Sequence, residues 1–552
     1  MESSISTKEA MIKLILERDA LYPSIDRIFA YGTAGFRTLG AHLDKVCYRA
    51  GILSAIRAKV TGPRLVGCMI TASHNPKQDN GLKIVEADGS MLHHEWEKKA
   101  ETLVNSKNLR ETLDQFDEEY KDHNIFSGIF GHVFVGRDTR ASSEQLAKAL
   151  IEGATSIGCN IVDFGLTTTP QLHFVTEKGF QVGEARYGEI QASDYNRFFA
   201  DQYRRFVELI KHQETKKYQH ELHLDCANGI GSVQMKRLVE LLGAECDLKV
   251  HFYNDDLVPE KLNEDCGAEY VHKDLKFPTH FEDAETFRGK KCASFDGDAD
   301  RLIHFYRDAV TDKLVLIDGD KQFVLISMYI QDLLNKLGIT QDQLSYVMVQ
   351  TAYVNSRATR FLKNKGVNNE LCPTGVKNAH PIILKYDIGA NDEPNGHGTV
   401  AAKMDKVQEV LAPHMDKIEA QKLISLLHIS NMCVGDAIAN VLLIEAILRD
   451  LDYSIQDFAA IYEENPSRNY KAVVRDRTKF KPIWDESKLI QPIELQNKID
   501  ELIETVEEGK AFVRPSGTED ILRIYAEART EDQMELLAQA ILQEIEIKYK
   551  DY

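Results

Sequence analysis

HVFVGRDTRASSEQLAKALIEGA, residues 132–154, carries in one stretch the plan that recurs along this chain. Strand-like residues 132–135 run into a polar turn at Gly136-Arg137-Asp138, and a helical pattern follows with Leu146, Ala149 and Leu150 as its apolar positions. Strand, turn and helix in that order are the unit from which α/β domains are built. ELHLDCANGIGSVQMKRLVELLGA (221–244) repeats it with Asn228-Gly229 as the turn, and LVGCMI (65–70) reads as a buried strand entering another polar turn. ASFDGDADRLIHFY (293–306) sets a carboxylate-rich turn between two apolar runs. From about 439 onward, helices are expected to dominate until KAFVRPSGTEDILRIYAEA (510–528), where two strand-like stretches flank a polar loop. Related α/β units follow, without a residue-level repeat of fixed period. Expected edges near 180, 308 and 438 divide the chain into 1–180, 181–308, 309–438 and 439–552.

The bulk numbers agree with several packed domains. There are 552 residues, 43% of them hydrophobic, with 33 glycines, 14 prolines and no low-complexity run. Lys and Arg total 67 against 86 Asp and Glu, a net charge of −19 that disfavours nucleic-acid binding, which needs a basic footprint. An anionic substrate must therefore meet a local cluster of cations. Nine scattered cysteines, never in Cys-x-x-Cys, argue against a disulfide framework and for a reducing cytoplasm. The N-terminal MESSISTKEAMIKLILERDALYPSIDRIF reads as an amphipathic helix, and no segment reaches the roughly 20 apolar residues that span a bilayer. No membrane partner is expected, and the composition sets no oligomeric state.

Four loops can carry chemistry. Asp296-Gly297-Asp298-Ala299-Asp300 places three carboxylates at alternate positions. An EF-hand is excluded, because Arg301 stands where Gly is needed and Arg307 where Glu is needed. A solvated acidic turn is the plain alternative to a Mg²⁺ site, but the apolar flanks favour the cation. Arg514-Pro515-Ser516-Gly517-Thr518-Glu519-Asp520, followed by Arg523, has the guanidinium, hydroxyl and N–H groups a phosphate needs; a helix N-cap at Ser516 or Thr518 is its rival. Glu393-Pro394-Asn395-Gly396-His397-Gly398 offers donors and acceptors to sugar hydroxyls, or is simply a β-turn. In ITASHNPKQDNGLKI (70–84), Ser73 is a turn serine or a reactive one. Neighbouring Ser73 and His74 are expected to diverge, so a charge-relay pair is not indicated. Phosphoryl transfer accounts for all four loops together.

TASHNP, DGDADR and RPSGTEDILR, in this order, resemble the α-D-phosphohexomutase superfamily. YGTAGFR (31–37), TASHNPKQDNGLKIVEADGSML (71–92), SFDGDADR, NGHGT (395–399) and VGDAI (434–438) resemble its phosphoacetylglucosamine mutase branch, over about residues 28–530. The resemblance implies interconversion of N-acetylglucosamine 6-phosphate and N-acetylglucosamine 1-phosphate on the route to UDP-N-acetylglucosamine. It implies three α/β domains with mixed sheets plus a C-terminal α+β (TATA-box-binding-protein-like) domain around a central cleft. Ser73 matches the phosphorylated serine, and Asp296, Asp298 and Asp300 match the ligands of one Mg²⁺, with a phosphoserine oxygen completing the site. Arg301, Lys83, Arg37 and His74 match the surroundings of the phosphoserine. Thr374, Gly375, Glu393, Asn395, Gly396 and His397 match sugar-contacting segments. Arg514, Ser516, Gly517, Thr518 and Arg523 match the loop that binds the non-reacting phosphate. A sugar 1,6-bisphosphate is implied as intermediate and activator.

Two departures stand out. Pro394 replaces the branch's usual alanine, and Asn378-Ala379-His380-Pro381 replaces a His-rich run. His74, Lys83, Arg37 and His397 are all placed to serve as general base. The rival readings are a phosphoglucomutase or phosphomannomutase, against which Asn395 argues, and a non-catalytic sugar-phosphate-binding relative, against which the intact serine and aspartates argue.

Overall fold

Apolar runs in the first third of the chain pair into one mixed sheet. In the computed structural model, which describes residues 2–32, 34–517 and 519–552, its strands are β1 (Phe36–Leu39), β2 (Leu65–Ile70), β3 (Asp79–Val85), β4 (His132–Arg137) and β5 (Asn160–Leu166), in the order β1-β3-β2-β4-β5. β2, β4 and β5 run parallel, and β3 returns antiparallel against β2. All six residues of β2 are buried, as a strand covered on both faces must be. The second sheet holds β6 (Glu221–Asp225), β7 (Lys249–Tyr253), β8 (Cys292–Phe295), β9 (Leu302–Arg307) and β10 (Leu314–Ile317), ordered β10-β9-β8-β6-β7. Here β7, β6 and β8 are parallel, with β9 antiparallel beside β8. The strand–turn–helix plan is realised at β4 with the helix Ser143–Ser156, and at β6 with the helix Gly231–Leu242.

The third sheet repeats this design with β11 (Tyr346–Thr351), β12 (Asn368–Cys372), β13 (Ile388–Asp392) and β14 (Gly398–Ala402), ordered β12-β11-β13-β14 with only β14 antiparallel. The last region differs. β15 (Ser467–Val473), a small β16 (Lys481–Pro482) and β17 (Leu489–Gln491) hairpin, β18 (Lys510–Pro515) and β19 (Ile521–Glu527) form antiparallel sheets backed by the helices Ile493–Ile503 and Glu531–Lys548. This is the α+β arrangement. Helices were expected to dominate from about 439 to 510; β15, β16 and β17 are strands within that stretch. SRNYKAV exposes most of its residues, so the edge strand lacks an apolar rhythm.

The chain groups into two units, one of residues 1–316 with 428–455 and one of 317–427 with 456–552. The helix Ala437–Leu451 thus belongs with the first two sheets rather than with the residues after it. It is buried over twelve residues and packs on the helix Ser193–Ile210 and on β9. The N-terminal helix spans Glu2–Asp19. All nine cysteines are free and buried. Among the described residues, no helix is long and apolar enough to cross a membrane.

Candidate active site

Three functional loops leave the carboxyl ends of parallel strands and return as antiparallel ones: 71–78 between β2 and β3, 296–301 between β8 and β9, and 393–397 between β13 and β14. Open α/β sheets place their ligand-binding loops at this end. In the first unit, two such loops meet. Ser73 is 2% exposed, and its Oγ donates to Asp296 Oδ2 at 2.6 Å, with Asp300 Oδ1 at 3.4 Å. Its φ of +52° is left-handed, a conformation costing roughly 1–2 kcal/mol for an L residue. The surroundings hold it there. The Ser73 N–H donates to Thr71 Oγ1 at 2.9 Å, and the Ser73 carbonyl accepts from Arg140 Nη2 at 2.8 Å and Asn263 Nδ2 at 2.9 Å. Gly297 is required by close approach, since a Cβ there would lie 2.7 Å from the Ser73 carbonyl oxygen. The left-handed turn also corrects the expected divergence of Ser73 and His74: His74 Nδ1 lies 3.4 Å from Ser73 Oγ.

The aspartates are buried, which excludes a solvated acidic turn. Their ligand atoms lie within 4.8 Å of one another. Burial, then Asp300 and Asp298, push the Asp296 carboxyl well above its ordinary range. Asp298 Oδ2 accepts from Thr169 Oγ1 at 2.6 Å, but the buried Oδ1 has no hydrogen-bond partner among the described residues. An orphaned, buried carboxylate oxygen beside two more carboxylates fits a hard dication. The all-oxygen donor set fits Mg²⁺ and not a thiophilic metal.

Cations surround the cluster. Lys83 Nζ lies 3.4 Å from Asp300 Oδ2 and 3.7 Å from Asp298 Oδ2. Arg301 pairs with Glu269 at 2.9 Å, and its Nε lies 3.9 Å from Asp300 and 4.0 Å from Asp296. Arg37 donates to Asn75 Oδ1 at 2.9 Å, while its buried Nε has no hydrogen-bond partner among the described residues. Burial and then Arg301 push His74 down to about 3, so its imidazole is neutral at pH 7. A serine hydroxyl, a carboxylate cluster that could hold a cation and three basic side chains meet in one unit.

The sequence reading passed over Arg140, Glu269, Asn263 and Thr169. Arg140 is buried and binds the carbonyls of Ser73, Asn75, Pro76 and Asp79 while pairing with Asp138 at 3.0 Å. Its sole local signal is the GRDTR turn after β4.

In the second unit, Glu393 and Asn395 sit on the β13–β14 hairpin. The Glu393 N–H donates to the His397 carbonyl at 2.9 Å, and Asn395 Nδ2 to Glu393 Oε2 at 3.1 Å. The Gly375 N–H donates to Glu393 Oε1 at 3.1 Å, joining the Thr374-Gly375 segment to this loop. Pro394 is accommodated, its carbonyl accepting from the Gly319 N–H at 3.2 Å. Asn378-Ala379-His380-Pro381 lies inside the helix Val376–Ile383, with Pro381 within it. Ser516 and Gly517 form the turn between β18 and β19, so no helix follows and the N-cap reading is overturned. Thr518 lies outside the described residues. Arg514 and Arg523 are register partners on neighbouring strands and share a face. Arg523 is exposed and has no ion pair among the described residues. Two like charges opposed across strands repel unless an anion joins them.

Two family models described as phosphoacetylglucosamine mutase AMG1, domain II and domain III, match residues 189–303 and 318–453. The phosphoglucomutase/phosphomannomutase alpha/beta/alpha domain I matches 54–111 and 127–185, and the C-terminal domain of that family matches 471–544. A phosphoacetylglucosamine mutase of Oryza sativa subsp. japonica is 37% identical over 542 residues, covering 94% of each chain. The crystal structure of Aspergillus fumigatus N-acetylphosphoglucosamine mutase with GlcNAc-6P and magnesium is 34% identical, with a TM-score of 0.89 over 97% of this chain and 98% of that one. A second structure from Aspergillus fumigatus, in complex with glucose 1,6-bisphosphate, is 34% identical with a TM-score of 0.86, over 97% of this chain and 98% of that one.

Proposed function

The chain belongs to the phosphoacetylglucosamine mutase family of the α-D-phosphohexomutases, and on that premise we propose that it interconverts N-acetylglucosamine 6-phosphate and N-acetylglucosamine 1-phosphate. It is an isomerase that moves a phosphoryl group between two positions of one sugar, through a phosphoserine enzyme and a 1,6-bisphosphate. The observation that carries the assignment of Ser73 is its hydroxyl, 2.6 Å from Asp296 inside a buried carboxylate cluster ringed by Lys83, Arg37 and Arg301.

The chemistry follows from that geometry. The O–P bond to Ser73 breaks as a bond to the sugar's free hydroxyl forms; the hydroxyl's proton leaves with a base, and Ser73 Oγ takes up a proton. In the second half the other phosphate of the bisphosphate returns to Ser73. Asp296, Asp298 and Asp300 would hold Mg²⁺ with a phosphoserine oxygen, and the bound ion supplies Lewis-acid neutralisation of the transferring phosphoryl charge. Lys83, Arg37 and Arg301 orient the phosphoryl oxygens. His74, kept neutral by burial, serves as a hydrogen-bonding neighbour. Glu393, Asn395 and His397 contact sugar hydroxyls and the acetamido group, with Thr374 and Gly375 beside them. Arg514, Ser516, Gly517, Thr518 and Arg523 hold the non-reacting phosphate. The substrate is a small sugar phosphate, and the enzyme works in the cytoplasm without nucleic-acid or membrane partners.

The test is phosphorus NMR on purified protein with Mg²⁺, a trace of sugar 1,6-bisphosphate, and N-acetylglucosamine 6-phosphate or glucose 6-phosphate in parallel. The acetamido sugar turns over faster, and Ser73→Ala abolishes the reaction. Faster turnover of glucose 6-phosphate makes the protein a hexose phosphomutase. No turnover by Ser73-phosphorylated protein makes it a binding protein.

A further inference from the structure

Glu486 belongs to none of the loops the sequence singles out, yet two ligand segments of the second unit clasp its carboxylate. Oε2 accepts from the Thr374 N–H at 3.0 Å and from Thr374 Oγ1 at 2.7 Å. Oε1 accepts from Arg514 Nη1 at 3.3 Å. A backbone N–H, a hydroxyl and a guanidinium closing on two oxygens of one anion form the donor set that grips a phosphate monoester. The rest of Arg514 is already placed, since its Nε donates to Tyr353 Oη at 3.0 Å. Glu486 is presented by a tight turn between β16 and β17. The Ile483 N–H donates to the Lys488 carbonyl at 2.8 Å, and the Glu486 N–H to the Ile483 carbonyl at 3.1 Å. Its φ of +64° is one that glutamate seldom adopts. Trp484, on the same turn, is 64% exposed.

We propose that Glu486 is a built-in stand-in for the ligand's phosphate, a carboxylate that occupies an anion subsite formed by Arg514 and Thr374 and gives way when a phosphate monoester binds. The inference rests on reading Arg514 as a phosphate-binding residue. Because the carboxylate is tethered, it competes as an intramolecular ligand and lowers the apparent affinity for phosphate. It also keeps two like-charged arginines on β18 and β19 tolerable without ligand. An enzyme whose bisphosphate must let go and rebind gains from a clamp that is never empty.

Full-length wild-type protein, Glu486→Gln and Glu486→Gln/Arg514→Gln are titrated with inorganic phosphate by calorimetry, and Trp484 emission is followed with Trp484→Phe as control. Glu486→Gln is expected to bind phosphate about tenfold more tightly than wild type, near the worth of one charge-assisted contact. The double variant loses that gain, and phosphate shifts Trp484 emission in wild type. Equal or weaker binding by Glu486→Gln overturns the proposal and makes the carboxylate a strut; an unmoved Trp484 emission overturns it as well. The titration needs no turnover, so its failure is separate from that of the assigned reaction. Normal mutase activity with an unchanged phosphate affinity in Glu486→Gln sinks this inference alone.

Discussion

Ser73 shows how little of a reactive residue's character lies in the residue itself. Its hydroxyl is ordinary; the left-handed backbone, the Arg140 and Asn263 grip on its carbonyl, and the 2.6 Å bond to Asp296 set it against the carboxylate cluster, where the proposed reaction needs its carrier. The Asp296–Asp300 cluster is its counterpart, and the unpartnered Asp298 Oδ1 is the atom with most to gain from a cation. For Asp298→Asn, turnover should fall by about 10²-fold or more, since the charge that neutralises the phosphoryl group is lost. Thermal melts with and without Mg²⁺ provide the structural check. At 100 times its Kd, a ligand stabilises by about 2.7 kcal/mol, so Mg²⁺ should raise the wild-type Tm and leave that of Asp298→Asn unmoved. Equal Mg²⁺ stabilisation of both proteins would place the ion elsewhere.

Elements supply what residues cannot. Gly319, which opens the helix Gly319–Leu337, lies where a Cβ would stand 2.0 Å from the Glu393 carbonyl oxygen. Gly319→Ala must push the Glu393–His397 loop, proposed to contact the sugar, away, and overpacking of this kind costs about 1–3 kcal/mol. The expected kinetic outcome is a several-fold rise in KM for the acetamido sugar with a smaller change in kcat. The helix Ala437–Leu451 is tied to the second sheet by the Lys291–Glu445 pair, 2.5 Å apart and buried at both ends, with Tyr218 also donating to Glu445. Burial pulls the Lys291 ammonium below its ordinary range and Glu445 pulls it back. Glu445→Gln strands that ammonium, and urea melts should show a loss of about 3–5 kcal/mol. Replacing both partners, Lys291→Met with Glu445→Leu, should recover most of it, because no buried charge is then left alone. A mild Glu445→Gln phenotype would mean that the lysine finds other relief.

At the scale of the molecule, stability should decline toward acid partly because of His223. This residue is buried on β6, stacks on His251 at 4.8 Å and accepts or donates at Tyr253 Oη 3.1 Å away. Burial first, then His251 and Lys290, lower it to about 4, while Glu221 raises it. Its folded pKa lies below the unfolded value near 6.5. The unfolded chain therefore takes up the proton first, and this contribution is complete above about pH 6.5 and lost as pH falls through about 4. The loss is on the order of 1 kcal/mol once solvent screening is counted. Urea midpoints at pH 7 and pH 5 should converge in His223→Gln relative to wild type. If the two proteins keep the same pH slope, His223 is not the group responsible.

The chemistry was legible where it is local. Asp296 to Asp300, Ser73 with His74, and the Glu393–His397 turn each pack their donors into a few residues, and the apolar strands before them announce burial. The α/β plan was legible for the same reason, since β4 and β6 with their helices alternate in pattern over single stretches. β15 was not, because an exposed edge strand has no apolar rhythm to read. Nor were the roles of Arg140, Glu269 and Glu486, whose partners Ser73, Arg301 and Thr374 lie 67, 32 and 112 residues away along the chain. The sequence by itself determined the residue types and the strand ends that carry them. Tertiary structure alone decided which distant charges neutralise, orient or occupy them, because Coulomb and hydrogen-bond energies depend on separation in space and not along the chain.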